Sequence, residues 1–442
     1  MTQSYSAPEF SRPYLGYALG LLFLLNVVNY MDRSIIGVLI EPMRADLALS
    51  DTEIGLMTGI AFALFYAFAG VYLAHLADIR NRTRIISLSL VAWSLMTALT
   101  GAAQNFWQLV IARMGVGVGE ASVIPTANAM IADYYRPQQR PFALAVFTAG
   151  AMLGITAGSL IGGAVAQSYG WRWAFLAAAL PGLPLSVLVW LTLRDPKRGA
   201  SDGAIVVSSM PFVVAVRLIL SNQVVWLLIV GFSFIVFMLF GVITWLPAFL
   251  VRHHGMSLTA VGAWFGAAMG IGTVVGGVAG GAVANRLATR DLAWLTRLPT
   301  GLMLLMWPLY EMAIFAPTAG LSLVAVAFAS AAGGAAYGPA LAAMQTVLPA
   351  AARARGAALN GFVANLVGIG GGPLVVGVLS DYLAPTLGEA GALQYALAIA
   401  VSAGLVGVVF MLLAHRAFTR WIRDPGIAEQ NTGPKTTAAG VE

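Results

Sequence analysis

Cysteine is absent from the chain and charge is scarce. With no cysteine in 442 residues, disulfides, thiolate metal sites and cysteine nucleophiles are excluded. Only four histidines occur, His75, His253, His254 and His415. All fall near expected helix ends and none forms a metal-ligand or nucleophile spacing, so no metal and no cofactor is expected. Charged residues make up 10% of the chain, against about 25% in soluble domains. The alternating pattern of an outer-membrane barrel is missing as well. What is abundant is apolar sequence: 59% of residues are hydrophobic and the mean hydropathy is +0.84. Runs of about 20 apolar residues, the length that crosses a bilayer core, recur from end to end. The first is too long for a signal-peptide core and has no A-x-A exit, so it reads as a permanent span. The 49 glycines suit close helix packing in lipid.

The spacing predicts an all-α membrane protein with twelve spans, over 14–40, 53–77, 85–104, 106–133, 142–168, 173–193, 222–251, 259–285, 298–316, 320–348, 357–383 and 393–416. Lysine and arginine sort sharply between alternate loops. Nineteen of the 24 lie on the side of both termini, three (Arg44, Arg172, Arg252) lie on the other, and two (Arg33, Arg113) lie within spans. The positive-inside rule then places both termini in the cytoplasm. The net charge of +6 is accordingly a topology signal, and no nucleic-acid partner is expected. The expected organisation is an N-terminal six-helix bundle (1–193), a cytoplasmic linker (194–221) with a short amphipathic piece at Pro211–Leu220, a C-terminal six-helix bundle (222–416) and a disordered cytoplasmic tail (417–442).

The two halves repeat each other. At an offset of 207, Ser50, Thr52, Gly55, Gly59 and Gly70 recur as Ser257, Thr259, Gly262, Gly266 and Gly277. At an offset of 214, Gly119, Pro125 and Met130 recur as Gly333, Pro339 and Met344, and Gly154, Gly158 and Gly163 as Gly368, Gly372 and Gly377. Constant offsets over paired helices imply two pseudo-symmetric bundles around a central cavity, which is transporter architecture.

Four charges interrupt the apolar spans of the first half. Asp32 and Arg33 lie in the first span within Asn29-Tyr30-Met31-Asp32-Arg33, and Arg113 and Glu120 lie in the fourth. Positions 113, 117 and 120 share one helix face, and the four charges sum to zero. An ionised group at membrane depth costs roughly 2.5–3.5 kcal/mol on insertion scales, so it persists where it pairs or functions. The plain alternative is a structural salt-bridge cluster that orients helices. The functional one is a proton site at Asp32 and Glu120. Desolvation favours a neutral carboxyl and a neighbouring guanidinium favours a charged one, so a movable Arg33, supported by Arg113, ties protonation to conformation.

Two stretches carry a family resemblance. Ala74-His-Leu-Ala-Asp78-Ile-Arg-Asn-Arg82 resembles the cytoplasmic loop signature of the major facilitator superfamily, keeping Asp78 and Arg82 but losing both glycines; the resemblance implies a latch at Asp78, Arg82 and Asp133. Asn29–Arg33, together with Gly115-Val-Gly-Val-Gly-Glu120-Ala-Ser122 and the exit Asp133-Tyr-Tyr-Arg136, resembles the Spinster family within it. That family moves sphingosine-1-phosphate and lysophospholipids, some members with protons. The resemblance implies the major facilitator fold, protons as coupling ion, Asp32 and Glu120 as the protonatable pair and Arg33 as the cation between them. Proton symporters of sugar acids and other organic anions share the Asn-Tyr-x-Asp-Arg first helix and the glutamate of the fourth.

The second half has Gly334 where the first has Glu120, and an aromatic seventh span, Phe232 to Phe249. A charged wall facing an apolar one suits an amphiphile with its headgroup on one side and its chain on the other. The expected substrate-binding residues are Arg33, Asn29 and Glu120 with Phe240, Thr244 and Tyr337. Gly154-x3-Gly158-Ser159-x2-Gly162-Gly163 resembles an antiporter glycine motif with serine in place of its proline. Glu311, in the ninth span, is an acid inside a span of the second half. The chain is therefore expected to be a monomeric, multi-pass protein of a bacterial inner membrane, no enzyme, moving a lysolipid-like amphiphile through the bilayer by proton-coupled alternating access. The alternative in the same fold is a proton-coupled symporter of organic anions or sugar acids.

Overall fold

The computed structural model describes residues 10–199 and 212–423, and their regular structure is helical throughout. The first half contributes α1 (Arg12–Leu47), α2 (Asp51–Ile79), α3 (Arg82–Ala102), α4 (Phe106–Tyr134), α5 (Arg140–Tyr169) and α6 (Trp171–Thr192). The second contributes α7 (Gln223–His254), α8 (Leu258–Ala288), α9 (Trp294–Ile314), α10 (Ala319–Val347), α11 (350–387) and α12 (389–423). Among the described residues ten helices are long and apolar enough to cross a membrane. The longest of these holds both α11 and α12, which meet at Gly388 with φ 71°. α9 has 21 residues and two internal prolines, Pro299 and Pro308, and completes the set. Residues 200–211 of the expected linker and 424–442 of the expected tail lie outside the described residues. A short helix, Phe212–Ser221, occupies the place of the amphipathic piece, and α12 continues to Arg423, past the expected end at 416.

Helix starts follow local chemistry. Ser50 caps α2, its side chain accepting from Glu53 N while Glu53 accepts from Ser50 N, a reciprocal capping box. Ser257, its repeat partner, caps α8 by accepting from Ala260 N. Asn81 and Asn105 cap α3 and α4 in the same way. α1 begins with Pro13 in its first turn and stops at Ala48, whose φ is 49°.

The repeated glycines mark where the halves meet. α2 lies against α11 and α8 against α5, a pseudo-two-fold arrangement. A β-carbon on Gly55 would stand 2.6 Å from the Pro373 carbonyl, and one on Gly59 2.5 Å from that of Gly370. Their partners at offset 207 do the same on the other side: Gly262 presses on the Ser159 carbonyl and Gly266 on the backbone of Thr156. Backbones this close are open only to glycine. Within each half, Gly154 and Gly158 of α5 seat on α1, and Gly368 and Gly372 of α11 seat on α7.

The halves are joined at the end that carries Asp51, Arg252 and Asp381. Between α2 and α11 the contact continues as far as Phe68, whose ring meets Phe362 edge-on at 6.1 Å. Toward the arginine-rich end, Arg82 and Asp133 hydrogen-bond to each other and to the segment 195–199. The structure is closed at the arginine-poor end.

Candidate functional site: a buried four-charge cluster

Two glycines and a proline place the charges on α4. Gly117 lets α4 approach α2, where a β-carbon would lie 2.8 Å from the Phe62 carbonyl, and Gly119 does the same against Trp93 of α3, at 2.6 Å. The helix is interrupted after Glu120 and resumes at Val123. Pro125 explains the break, because its ring clashes with the carbonyl four residues back and it has no N–H to donate there. Glu120 thus ends a helical limb in the middle of the bundle.

The four charges come together as two pairs. Arg33 Nε donates to Glu120 Oε2 at 2.5 Å. Arg113 Nη1 lies 3.6 Å from Asp32 Oδ1, a Coulombic contact too long for a hydrogen bond. Asp32 Oδ2 instead accepts from the hydroxyl of Thr97 on α3. Asp32, Arg113 and Glu120 are 1%, 3% and 0% exposed, whereas the Arg33 side chain keeps 11%. Arg33 is therefore the least buried of the four charges. Each carboxylate has one oxygen without a hydrogen-bond partner among the described residues, as have Arg33 Nη2 and both polar atoms of the fully buried Asn29. A buried ion pair is weak evidence for stability, because desolvation of both charges offsets their attraction. Its persistence beside several unmatched polar atoms suits a site that changes partners.

Aromatic rings enclose the cation. The Arg33 guanidinium carbon lies 5.3 Å from the Tyr30 ring centroid, 5.2 Å from Phe62 and 4.6 Å from Tyr66. The sequence reading missed Phe62, Tyr66 and Thr97. Their i, i+4 spacing was a usable signal for the first two, but nothing local tied Thr97 to Asp32.

The second-half residues are dispersed. Phe240 packs against the apolar core of the first half. Thr244 is buried where α7 crosses α1, its carbonyl facing Gly37, which places it in a helix crossing and not on a cavity wall. Tyr337 is 55% exposed and stands 5.5 Å from the Phe232 ring, above a small apolar recess also lined by Leu228, Met344 and Asn360. Glu311 accepts from Ser402 of α12 at 3.0 Å.

At the arginine-rich end, Arg82 is the hub. Its Nη1 donates to Asp133 at 2.5 Å, its Nε to Asp195 at 2.7 Å and its Nη2 to the Pro196 carbonyl at 2.5 Å. Asp78 is exposed and has no partner among the described residues. Asp78, Arg82, Asp133 and Arg198 all line a cavity of about 350 Å³. Arg82 and Asp133 are thus brought together, and Asp78 is left apart from them in this closed-outer conformation.

A second ionic site, at the opposite end, had no counterpart in the sequence reading. Arg252 of α7 holds Asp51 of α2 with two hydrogen bonds of 2.7 Å and Glu41 of α1 with one of 2.5 Å. Ser380 of α11 donates to Asp51 at 2.6 Å. Asp381 accepts from the backbone N–H groups of Asp51 and Thr52 at 3.1 and 2.7 Å, capping α2 from the other half. Arg44 pairs with Glu389 at 2.6 Å.

Two bundles clasped at one end, with repeat-related glycines at the seam, are matched by the Major Facilitator Superfamily model over residues 22–373. The chain belongs to the major facilitator superfamily. An MFS-type efflux pump of Mycolicibacterium smegmatis is 36% identical over 404 residues, 91% of this chain and 93% of that protein. A probable L-galactonate transporter of Escherichia coli is 29% identical over 255 residues, 55% of this chain and 56% of that one. The crystal structure of a bacterial homolog to the human lysosomal transporter Spinster, inward-facing and unoccupied, superposes with a TM-score of 0.86 at 28% identity, covering 93% of this chain and 99% of that one. Within the superfamily the chain is a Spinster-like, multi-pass membrane transporter.

Proposed function

We propose that this transporter exchanges protons for an amphiphile with an anionic headgroup, lysolipid-like in form, by alternating access. Asp32 and Glu120 take the protons, and Arg33 is the counter-ion that moves between Glu120 and the substrate. The observation that carries this reading is the asymmetry of the cluster. Two carboxylates, each beside its own arginine, are buried in the first half, and Arg33 is the least buried of the four charges. The facing wall offers aromatic and aliphatic side chains around Phe232 and Tyr337. A sugar acid would need hydrogen-bonding groups on both walls to replace its lost hydration.

The arginine-rich end and both termini are assigned to the cytoplasm of a bacterial inner membrane, so the structure opens inward. The efflux pump similarity and the glycine-rich face of α5 support export by proton antiport. The galactonate transporter similarity favours the second reading, a proton symporter of sugar acids. Uptake into proteoliposomes under an imposed pH gradient separates the two. Saturable, gradient-driven movement of a lysophospholipid, with galactonate unmoved, is expected; movement of galactonate alone overturns the choice.

A further inference from the structure

The counter-ion of a proton switch must let go of its carboxylate without leaving the site. Arg33 makes one hydrogen-bonded ion pair, through Nε to Glu120, and nothing in that pair holds the guanidinium once Glu120 is neutral. Three ring centroids lie within 5.3 Å of it, inside the roughly 6 Å range over which an aromatic face attracts a cation. Two belong to α2, where Phe62 and Tyr66 stack at 5.6 Å with their planes 23° apart. They are 3% and 8% exposed, while Phe65 and Phe68 of the same helix are 36% and 63% exposed, so the i, i+4 pair is turned inward and its neighbours outward. The π-helical turn Met57–Ala61 immediately precedes Phe62 and sets that orientation, since a wider turn rotates every following side chain about the axis. Phe62 also lies 5.7 Å from the Arg113 guanidinium, so a single ring serves both cations.

We propose that Phe62 and Tyr66, with Tyr30, form an aromatic cage that keeps Arg33 seated when Glu120 is protonated, leaving Nη2, a buried atom with no hydrogen-bond partner among the described residues, to be taken up by the anionic headgroup. They are positioning residues acting through Arg33, and this role rests on the proposed function of that arginine as the mobile counter-ion. Rings suit the task because their attraction for a cation survives the change in carboxylate charge and does not compete for the hydrogen-bonding edge of the guanidinium. A carboxylate in the same position would titrate or pair with Arg33 and block the headgroup.

The test measures how fast phenylglyoxal, an arginine-selective reagent, modifies Arg33 in the full chain in nanodiscs, read by peptide mass mapping. In Glu120→Gln the rate is expected to stay within about twofold of wild type, because the cage still holds the cation. Adding Tyr66→Leu is expected to raise it about tenfold or more, whereas Tyr66→Phe, which keeps the ring, is expected to leave it unchanged. Phe62→Leu is expected to accelerate both Arg33 and Arg113, and it stands as the second variant if Tyr66→Leu is not monodisperse. Full release of Arg33 by Glu120→Gln alone, or no acceleration on removing either ring in that background, overturns the cage. The reaction needs no transported substrate, so a failure of lysolipid transport with the cage rates as expected rejects the proposed function and leaves the cage standing.

Discussion

At the scale of the residue, the cluster balances desolvation against pairing, and single substitutions separate the two. Arg33→Ala removes the partner of a fully buried carboxylate, a change that costs about 3–5 kcal/mol when a buried pair is broken, unless Glu120 takes up a proton. Transport is therefore expected to fall to background in Arg33→Ala while the protein remains monodisperse, as checked by proteoliposome flux and gel filtration. Arg33→Lys is expected to rescue little, since an ammonium lacks the planar fork and the ring stacking of the guanidinium. Thr97→Val leaves Asp32 without its hydroxyl donor, which stabilises the ionised form. The pH profile of transport in Thr97→Val is expected to shift, with Thr97→Ser restoring it; superimposable profiles would make Thr97 a packing residue only.

The residues of this cluster were legible in part. Asp32, Arg33, Arg113 and Glu120 stand out because charges inside apolar runs are costly and local in sequence. Phe62, Tyr66 and Thr97 are ordinary apolar-helix residues, and only the packing of α2 and α3 onto α4 brings them within reach of the cluster. Thr244 shows the opposite error, a polar residue in a suitable span that tertiary packing turned into a helix crossing.

At the scale of the element, the repeated glycines Gly55 and Gly59, with Gly262 and Gly266, are the surfaces on which the halves close. Gly59→Leu introduces a side chain where even a β-carbon would lie 2.5 Å from the Gly370 carbonyl. α2 and α11 are then expected to separate and the outer-open population to rise, measurable as faster thiol labelling of a cysteine placed at the seam in this cysteine-free chain. The same substitution at Gly281, which has nothing within 4 Å, is expected to leave the labelling rate unaltered. Sequence periodicity revealed these elements and their repeat because length, hydropathy and glycine spacing are properties of the chain itself. It did not reveal the π-helical turn in α2, which has no signature in hydropathy, nor the continuation of α12 to Arg423.

At the scale of the whole molecule, two ionic sites face each other along the transport axis. One, at Arg82, is satisfied by the first half and the segment that follows it. The other, at Asp51 and Arg252, spans both halves and closes the outer end. Opening that end must break the clasp, so Asp51→Asn or Arg252→Gln is expected to shift the equilibrium toward the outer-open form by about tenfold or more, given the cost of breaking buried pairs. Arg44 and Arg252 were visible in the sequence only as basic residues on the arginine-poor side. Their partners lie up to 345 residues away, a separation that no local pattern encodes.

The account holds that the pairing of Arg33 with Glu120, and the charge on Asp32, set which end is open. Protonation of Glu120 removes a pair present in the outer-closed form, so acid is expected to favour outer opening. The direct measurement is the electron-spin distance between labels on Gln104→Cys and Gly320→Cys, exposed positions at the outer ends flanking α4 and α10, followed through a pH titration. The longer distance is predicted to gain population as pH falls in the otherwise wild-type chain, and this pH dependence is predicted to vanish in Asp32→Asn and in Glu120→Gln. An unchanged midpoint in both variants would contradict the account and reduce the four charges to a structural cluster.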